Sequence, residues 1–529
     1  MKAMHLSMRD PRSYRWSGKA KESTRRGEKT MDKRRDRPNI LLIMTDQQAE
    51  RMRKSRGYPL DTMPFLDALA GQGVQFTNAY TANPTCMPAR VSLFTGRYSS
   101  CHQVRCNTSD LAAFYSKDLL DVLKEAGYRT ALCGKNHSHR RSEAFDFCRQ
   151  NTHWGSSDPK RENQGRQSFD RFLRALENGV SMEPSPGGVE AQLPYRNVSD
   201  ALEFIDSADP RPFFLWLSFA EPHNPYQVPT PYFNLFPPDS LPVPTPPCAG
   251  KGMRFSWLRA QWETLYGKER CDAVIRRCRS NYLGMLRLID DQIRRLMDEM
   301  EKRGLQNDTI VIFLSDHGDF AGEYGLVRKG ADLPEALVRI PMIWKGPGIE
   351  AKGDYEGCFA NIVDVLPTLC EALRVSVPAG VQGRSLWSVL TGRRGAGKPE
   401  SIAYSEAGYG GDYWSDEDEL PPVCRGVHKE GAFDCLNSIT QSGQVRMVRK
   451  GQWKLQYDMK AQGHLYDLGT DPFEEHDLWR DPTCEKKKCE LLEVLAQKCL
   501  QLTDTLPVPP DRFAVKHFVP NDGKGGSAE

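Results

Sequence analysis

A chain of 529 residues with 39% hydrophobic and 27% charged residues holds enough apolar material for a large core and more than one structural unit. Its net charge of +3 is uneven: residues 1–36 carry twelve Lys/Arg against five Asp/Glu, a local +7 that leaves −4 for the rest. A main body without a basic excess excludes nucleic acid as its partner, and no run reaches the ~18 apolar residues of a membrane span.

In chain order, residues 1–36 read as a disordered basic leader, being highly charged and poor in apolar residues. They contain no apolar stretch of the kind an export signal needs. With fifteen cysteines, an odd count, this predicts a cytoplasmic protein with free thiols. Cys484 and Cys489 have no second pair at metal-finger spacing and carry no metal reading. "NILLIMT" then reads as a buried strand and "TMPFLDALAGQG" as a helix closed by glycine. "VQFTNAY", "TALCGK", "PFFLWLSFA", "TIVIFLSD" and "IPMIWKG" are further strands. Helices lie between them: "KDLLDVLKEAG", and the long "YLGMLRLIDDQIRRLMDEMEKRG", with Leu283, Leu286, Ile289, Ile293 and Met297 at three- and four-residue steps. Such alternation predicts an α/β fold, a large and mostly parallel sheet between helices.

The proline-rich "NPYQVPTPYFNLFPPDSLPVPTPPCAGKG" is expected as an excursion near the end of the sheet. Beyond "VLTGRRGAGKPE", the runs "QVRMVRKGQWKLQYD" and "GHLYDL" predict antiparallel strands, closed by the helix "KKKCELLEVLAQKCLQL". The expected organisation is a leader at 1–36, a catalytic unit at 37–399, a smaller sheet-and-helix unit at 400–505 and a tail at 506–529.

Two predicted strands end in polar clusters. "NILLIMTDQQ" delivers Asp46 and Gln47, and "TIVIFLSDHGD" delivers Asp316 and His317. Open parallel sheets bind ligands beyond their carboxyl ends, and isolated acids at buried strand ends are costly. Each acid alone fits a turn or a helix cap. Side by side, two carboxylates, an amide oxygen and an imidazole would cage a divalent cation. Cys86 in "NPTCMPARVSLFTGRYSS" is then an odd neighbour, because thiolates suit softer metals.

"CMPARVSLFTGR" resembles the signature of the type I sulfatases, Cys-x-Pro-Ser/Ala-Arg followed by Thr-Gly-Arg, here Cys86, Pro88, Ala89, Arg90, Thr95, Gly96 and Arg97. "RPNILLIMTDQQ" is similar to the family's opening strand in the Asp-Gln subgroup. "GYRTALCGKNH" resembles its Lys-x-His segment (Lys135, His137), "AEPHNPY" the stretch carrying a further histidine (His223), and "LSDHGDFAGEYGLVRKG" the second metal strand with Lys329. The close, "WKLQYDMKAQGHLYDLGTDPFEEHDL", is similar to the family's small C-terminal sheet. The resemblance implies an alkaline-phosphatase-like fold and an enzyme that cleaves sulfate esters.

It also implies that a formylglycine-generating (sulfatase-maturing) enzyme converts Cys86 to formylglycine. One hydroxyl of the hydrated aldehyde would attack sulfur, while the other lets the adduct collapse and release sulfate. Asp46, Gln47, Cys86, Asp316 and His317 would surround the metal. That ion is calcium by resemblance, with manganese or magnesium left open by the nitrogen ligand. Arg90 and Lys135 would hold the hydrate, His137 would take its proton, and His223 and Lys329 would bind sulfate, His223 as general acid. Asn107 in "CHQVRCN" is a candidate substrate-binding amide, with turn formation the equal alternative.

Lys135 and His137 favour sulfate monoesters, since the related phosphonate monoester and phosphodiester hydrolases usually carry Tyr and Thr there. That hydrolase is the first alternative, and an unmodified, catalytically silent binding protein is the second. The expected substrate is a small sulfated carbohydrate or oligosaccharide. The proline-rich excursion and "AGYGGDYWSDEDELPP" are either plain surface loops, the reading favoured for the latter, or its wall, with Tyr409, Tyr413 and Trp414 able to stack on a sugar.

Overall fold

The computed structural model describes residues 37–107, 113–244, 253–330, 332–393, 401–410 and 442–503. The leader at 1–36, the tail at 506–529, Tyr413 and Trp414 lie outside the described residues.

The catalytic unit contributes β1 (Asn39–Asp46), β2 (Val74–Phe76), β3 (Ala79–Tyr80), β4 (Arg129–Gly134), β5 (Phe147–Thr152), β6 (Gly155–Ser156), β7 (Phe213–Pro222), β8 (Thr309–Ser315), β9 (Met342–Lys345), β10 (Gly353–Tyr355) and β11 (Ala360–Asn361). Nine of these form one sheet in the order β10-β2-β9-β8-β1-β7-β4-β5-β6, and β3 pairs with β11 apart from it. The central strands β8, β1, β7, β4 and β5 are parallel, as the strand–helix alternation predicts. Strand β9 instead runs antiparallel to both β8 and β2, making the sheet mixed.

Strand β1 is apolar along its length because both faces are covered. Ile40, Leu42 and Met44 join one core cluster and Leu41 and Ile43 the other. The first cluster packs under the helices Cys86–Thr95 and Val365–Leu373, the second under Pro64–Ala70, Leu193–Ile205 and the long Lys268–Lys302.

"VQFTNAY" is two strands rather than one. The chain turns at Thr77 and Asn78, so that Val74–Phe76 stays in the main sheet while Ala79–Tyr80 pairs with β11. The proline-rich excursion leaves from the end of β7 and carries the short helix Tyr232–Leu235 against the long helix, where Tyr232 donates to Asp291 (2.8 Å).

A second sheet holds β12 (Ile402–Gly410), β13 (Gly443–Lys450), β14 (Trp453–Asp458) and β15 (Gly463–Asp467), all antiparallel in sequence order, with the helix Glu485–Leu502 behind it. Strand β12 was not foreseen as a strand; it pairs through residues 402–410 of the stretch that contains Tyr409. Leu455, Leu465, Leu491 and Leu495 merge with the first core cluster, so the two sheets share apolar packing.

Candidate active site

Four adjacent strands end on the same edge of the main sheet. Thr45 of β1 is level with Ser315 of β8, Met44 with Ser218 of β7, and Ser218 with Gly134 of β4. The residues that follow those tips, Asp46, Gln47, Asp316, His317, His223 and Lys135, therefore converge by register alone. Two glycines make the approach possible. A Cβ on Gly134 (φ 111°) would lie 1.9 Å from Ser218 O, and one on Gly318 would lie 1.9 Å from Ala336 O.

Cys86 opens the helix Cys86–Thr95, all ten residues of which are buried. Cys86 and Arg90 are four residues apart, which stacks them on one helix face. From there Arg90 binds both strand tips: Nε donates to Asp316 Oδ2 (2.9 Å) and Nη2 to Asp46 Oδ2 (3.1 Å). Its Nη1 donates to Lys135 O (3.0 Å), Asn136 O (3.1 Å) and Ser218 Oγ (2.9 Å). The spacing in the signature thus locks the cysteine helix to four strand ends.

Around the Cys86 sulfur stand Asp46 Oδ1 (3.5 Å), His317 Nε2 (3.2 Å) and Lys329 Nζ (3.1 Å). His137 and His223 also interact electrostatically with Cys86. Lys135 forms an ion pair with Asp46. Burial raises the Cys86 thiol, but Lys135, Lys329 and His317 outweigh it and hold the group well below its usual range. Burial and Cys86 likewise push Asp46 up, and Lys135, His223 and Arg90 reverse this. Burial and then Asp46 keep Asp316 above the ordinary carboxylate value. Burial, followed by Lys329, draws His223 down to about 4, and burial with Lys135 lowers His137.

One ligand atom from each of Asp46, Cys86, Asp316 and His317 lies within 4.8 Å of the others, and all four residues are buried. Among the described residues no second such cluster occurs. His317 Nδ1 donates to Gly318 O (2.9 Å), which leaves Nε2 with its lone pair toward the cluster. Two buried carboxylates and an imidazole nitrogen of fixed tautomer fit a divalent cation. Gln47 is in place, but its Oε1 accepts from Lys329 Nζ (2.9 Å), and its backbone N–H donates to Asp316 Oδ1 (3.0 Å) from a left-handed conformation (φ 71°).

Asn107 Oδ1 accepts the Met87 N–H (3.1 Å) at the start of the cysteine helix. Three contributors were not foreseen. Asp319 accepts from Gln47 Nε2 and from Tyr226 OH (2.7 Å), bracing the Asp-Gln turn. Ser218 receives Arg90. His153, on the turn between β5 and β6, lies 2.7 Å (Nε2) from Lys135 Nζ and stacks on His223 with ring centroids 3.9 Å apart. Asp319 is legible as the second acid of "SDHGD"; His153 follows a strand of mixed polarity that offers no periodic signal.

Residues 38–375 match the family model described as Sulfatase. The chain is 30% identical over 389 residues to an arylsulfatase of Clostridium perfringens, spanning 68% of this chain and 79% of that protein. It is 28% identical over 487 residues to an ulvan-active sulfatase of Formosa agariphila, spanning 88% and 82%. The solved phosphonate monoester hydrolase of Agrobacterium radiobacter superposes with a TM-score of 0.68 at 21% identity, over 88% of this chain and 96% of that one, a likeness of fold. The chain belongs to the sulfatase family and is a hydrolase of the sulfatase class.

Proposed function

We propose that this member of the sulfatase family hydrolyses a sulfate monoester on a small sulfated carbohydrate, using formylglycine made from Cys86 and a divalent cation, calcium first. One observation carries the reading: the Cys86 sulfur sits at the metal-fitting cluster of Asp46, Asp316 and His317 with Lys329 3.1 Å away. The sulfur marks the place of the oxygens that a formylglycine hydrate would present.

Asp46, Asp316 and His317, with Gln47 beside them, would hold the cation. When bound, it supplies Lewis acidity that lowers the pKa of a neighbouring hydroxyl and shields sulfate charge. Formylglycine supplies a hydrated carbonyl in place of the thiol, hence a nucleophilic oxygen and a second hydroxyl. The remaining work belongs to the side chains. Lys329 presents its ammonium group to the sulfate oxygens, and Lys135, which with Arg90 would hold the hydrate, adds its charge to the same site, where fixed charges stabilise a developing anion. His137, lowered by burial and held against Cys86, accepts a proton there. His223 Nδ1 is held by Asn224 O (2.6 Å), which leaves Nε2 to take up a proton from solvent beside the bound sulfate anion and pass it to the leaving oxygen.

The odd number of cysteines suits a reducing compartment, and the proposal places the reaction in the cytoplasm. The test is the intact mass of the peptide holding Cys86 beside rates on aryl sulfate and aryl phosphodiester substrates. The expected result is a loss of ~18 Da for thiol-to-aldehyde conversion, with sulfate the faster substrate. Faster phosphodiester or phosphonate cleavage would move the assignment to that sister activity, and an unmodified, inactive protein would make it a binder.

A further inference from the structure

We infer that His153 is a positioning residue for both sulfate-binding arms of the site, resting on the sulfatase reading above. The geometry assigns its role atom by atom. A lysine ammonium has three N–H donors and no acceptor. Lys135 gives one to Asp46 and a second to His153 Nε2 at 2.7 Å. Nε2 must therefore carry a lone pair, which places the ring proton on Nδ1 and leaves His153 neutral. The third Lys135 donor is the one left for a substrate oxygen, and its direction is set by the other two. Without His153, Lys135 would pivot about Asp46.

The same ring faces His223. The two imidazoles are nearly parallel, 21° apart in plane with centroids at 3.9 Å. His223 is pinned at the far end by Nδ1 to Asn224 O, so the stack fixes the remaining freedom, rotation of the ring about that hydrogen bond. A neutral His153 stabilises His223 when it is protonated, whereas a charged one would repel both it and Lys135. Burial, His223 and Lys135 all favour the neutral form of His153. One side chain on a hairpin tip thus aligns the anion-binding ammonium and the proton donor together.

The test separates the two contacts. His153→Gln keeps an acceptor for Lys135 but has no ring to stack; His153→Phe keeps a ring but has no acceptor; His153→Ala loses both. For the mature enzyme on aryl sulfates of graded leaving-group pKa, His153→Ala and His153→Gln should lose ~10-fold on a nitrophenyl ester and ~100-fold or more on an unactivated one, the pattern of a misplaced acid. His153→Phe should keep the wild-type dependence on leaving group, with KM raised ~10-fold and binding of inorganic sulfate, measured by calorimetry, weakened alike. Nitrogen shifts of ring-labelled histidine in the wild-type protein should report His153 as the Nδ1–H tautomer, a readout independent of turnover. An equal loss by all three variants on every ester, or an Nε2–H tautomer, overturns the inference. Should the wild-type enzyme cleave no sulfate ester, the parent reading falls, while the tautomer and sulfate-binding results still decide the role of His153.

Discussion

The molecule buries two clusters of charge, and they are built differently. In the first, between the two sheets, Lys454 donates to Leu333 O (2.6 Å) and pairs with Glu335 (3.1 Å) and Glu474 (2.9 Å), while Arg449 and the Tyr80 hydroxyl complete Glu335. Two acids meet two cations, and each acid stands in an ion pair. In the second, at the strand tips, Arg90, Lys135 and Lys329 surround Asp46, Asp316 and Cys86. There His137 Nδ1 is buried without a hydrogen-bond partner, and Lys329 leans on a sulfur and an amide rather than on an acid. A closed cluster ties two sheets together. An open one keeps a lysine without an acid and a histidine nitrogen without a partner. The difference is one of completeness, not of burial.

The sharpest way to break this contrast is to remove the centre of the open cluster. Cys86→Ala should lower kcat/KM by ~10⁴-fold or more, as loss of a covalent nucleophile does, while the unfolding midpoint in denaturant stays near that of the parent. A large fall in stability would mean that Cys86 belongs to the closed kind. Next, stripping divalent cations with a chelator should cost ~1000-fold in kcat, the several kcal/mol a Lewis acid supplies. Calcium or manganese should restore it, with thermal melting rising on rebinding. Unchanged activity after complete chelation, checked by elemental analysis, would remove the cation from the scheme.

The complementary change lies in the closed cluster. Lys454→Met leaves Glu335 and Glu474 buried without their cation and should destabilise the fold by ~3 kcal/mol or more, with kcat/KM of the folded enzyme within about twofold of the parent. The smallest effect sharpens the same point by pH. Burial raises Glu335, but Lys454, Arg449 and Arg339 outweigh it and bring it from 4.5 to about 2. A folded value below the unfolded one means that its contribution is present above about 4.5 and lost as pH falls toward about 2. Denaturant unfolding at pH 5 and pH 3 should record that loss in the parent, and a smaller one in Glu335→Gln.

How much of this was legible depended on whether the signal was local. The apolar runs that end on Asp46 and on Asp316 announced the parallel core, because both faces of those strands are covered, and it was the pair of acids together, each alone fitting a turn or a cap, that pointed to a cation. The four-residue step from Cys86 to Arg90 placed both on one helix face. Strand β5, "FCRQNT", is only partly buried and alternates no apolar residues, so the hairpin that carries His153 left no trace in periodicity. The reversed direction of β9 is equally silent, since a strand reads the same either way along its neighbours. Asn107 was open between a substrate amide and a turn because the sequence cannot say which backbone N–H its carbonyl will meet; that N–H is the one of Met87.

The complete burial of the helix that begins at Cys86 sets a clock. Under the proposed maturation, a modifying enzyme must meet that segment as unfolded chain, since afterwards no surface of it is left to grip. His317, which closes the pocket over the sulfur, is made 231 residues later. At ~5–20 residues per second of synthesis, the ribosome leaves a window of ~10–50 s between emergence of the thiol and arrival of its lid.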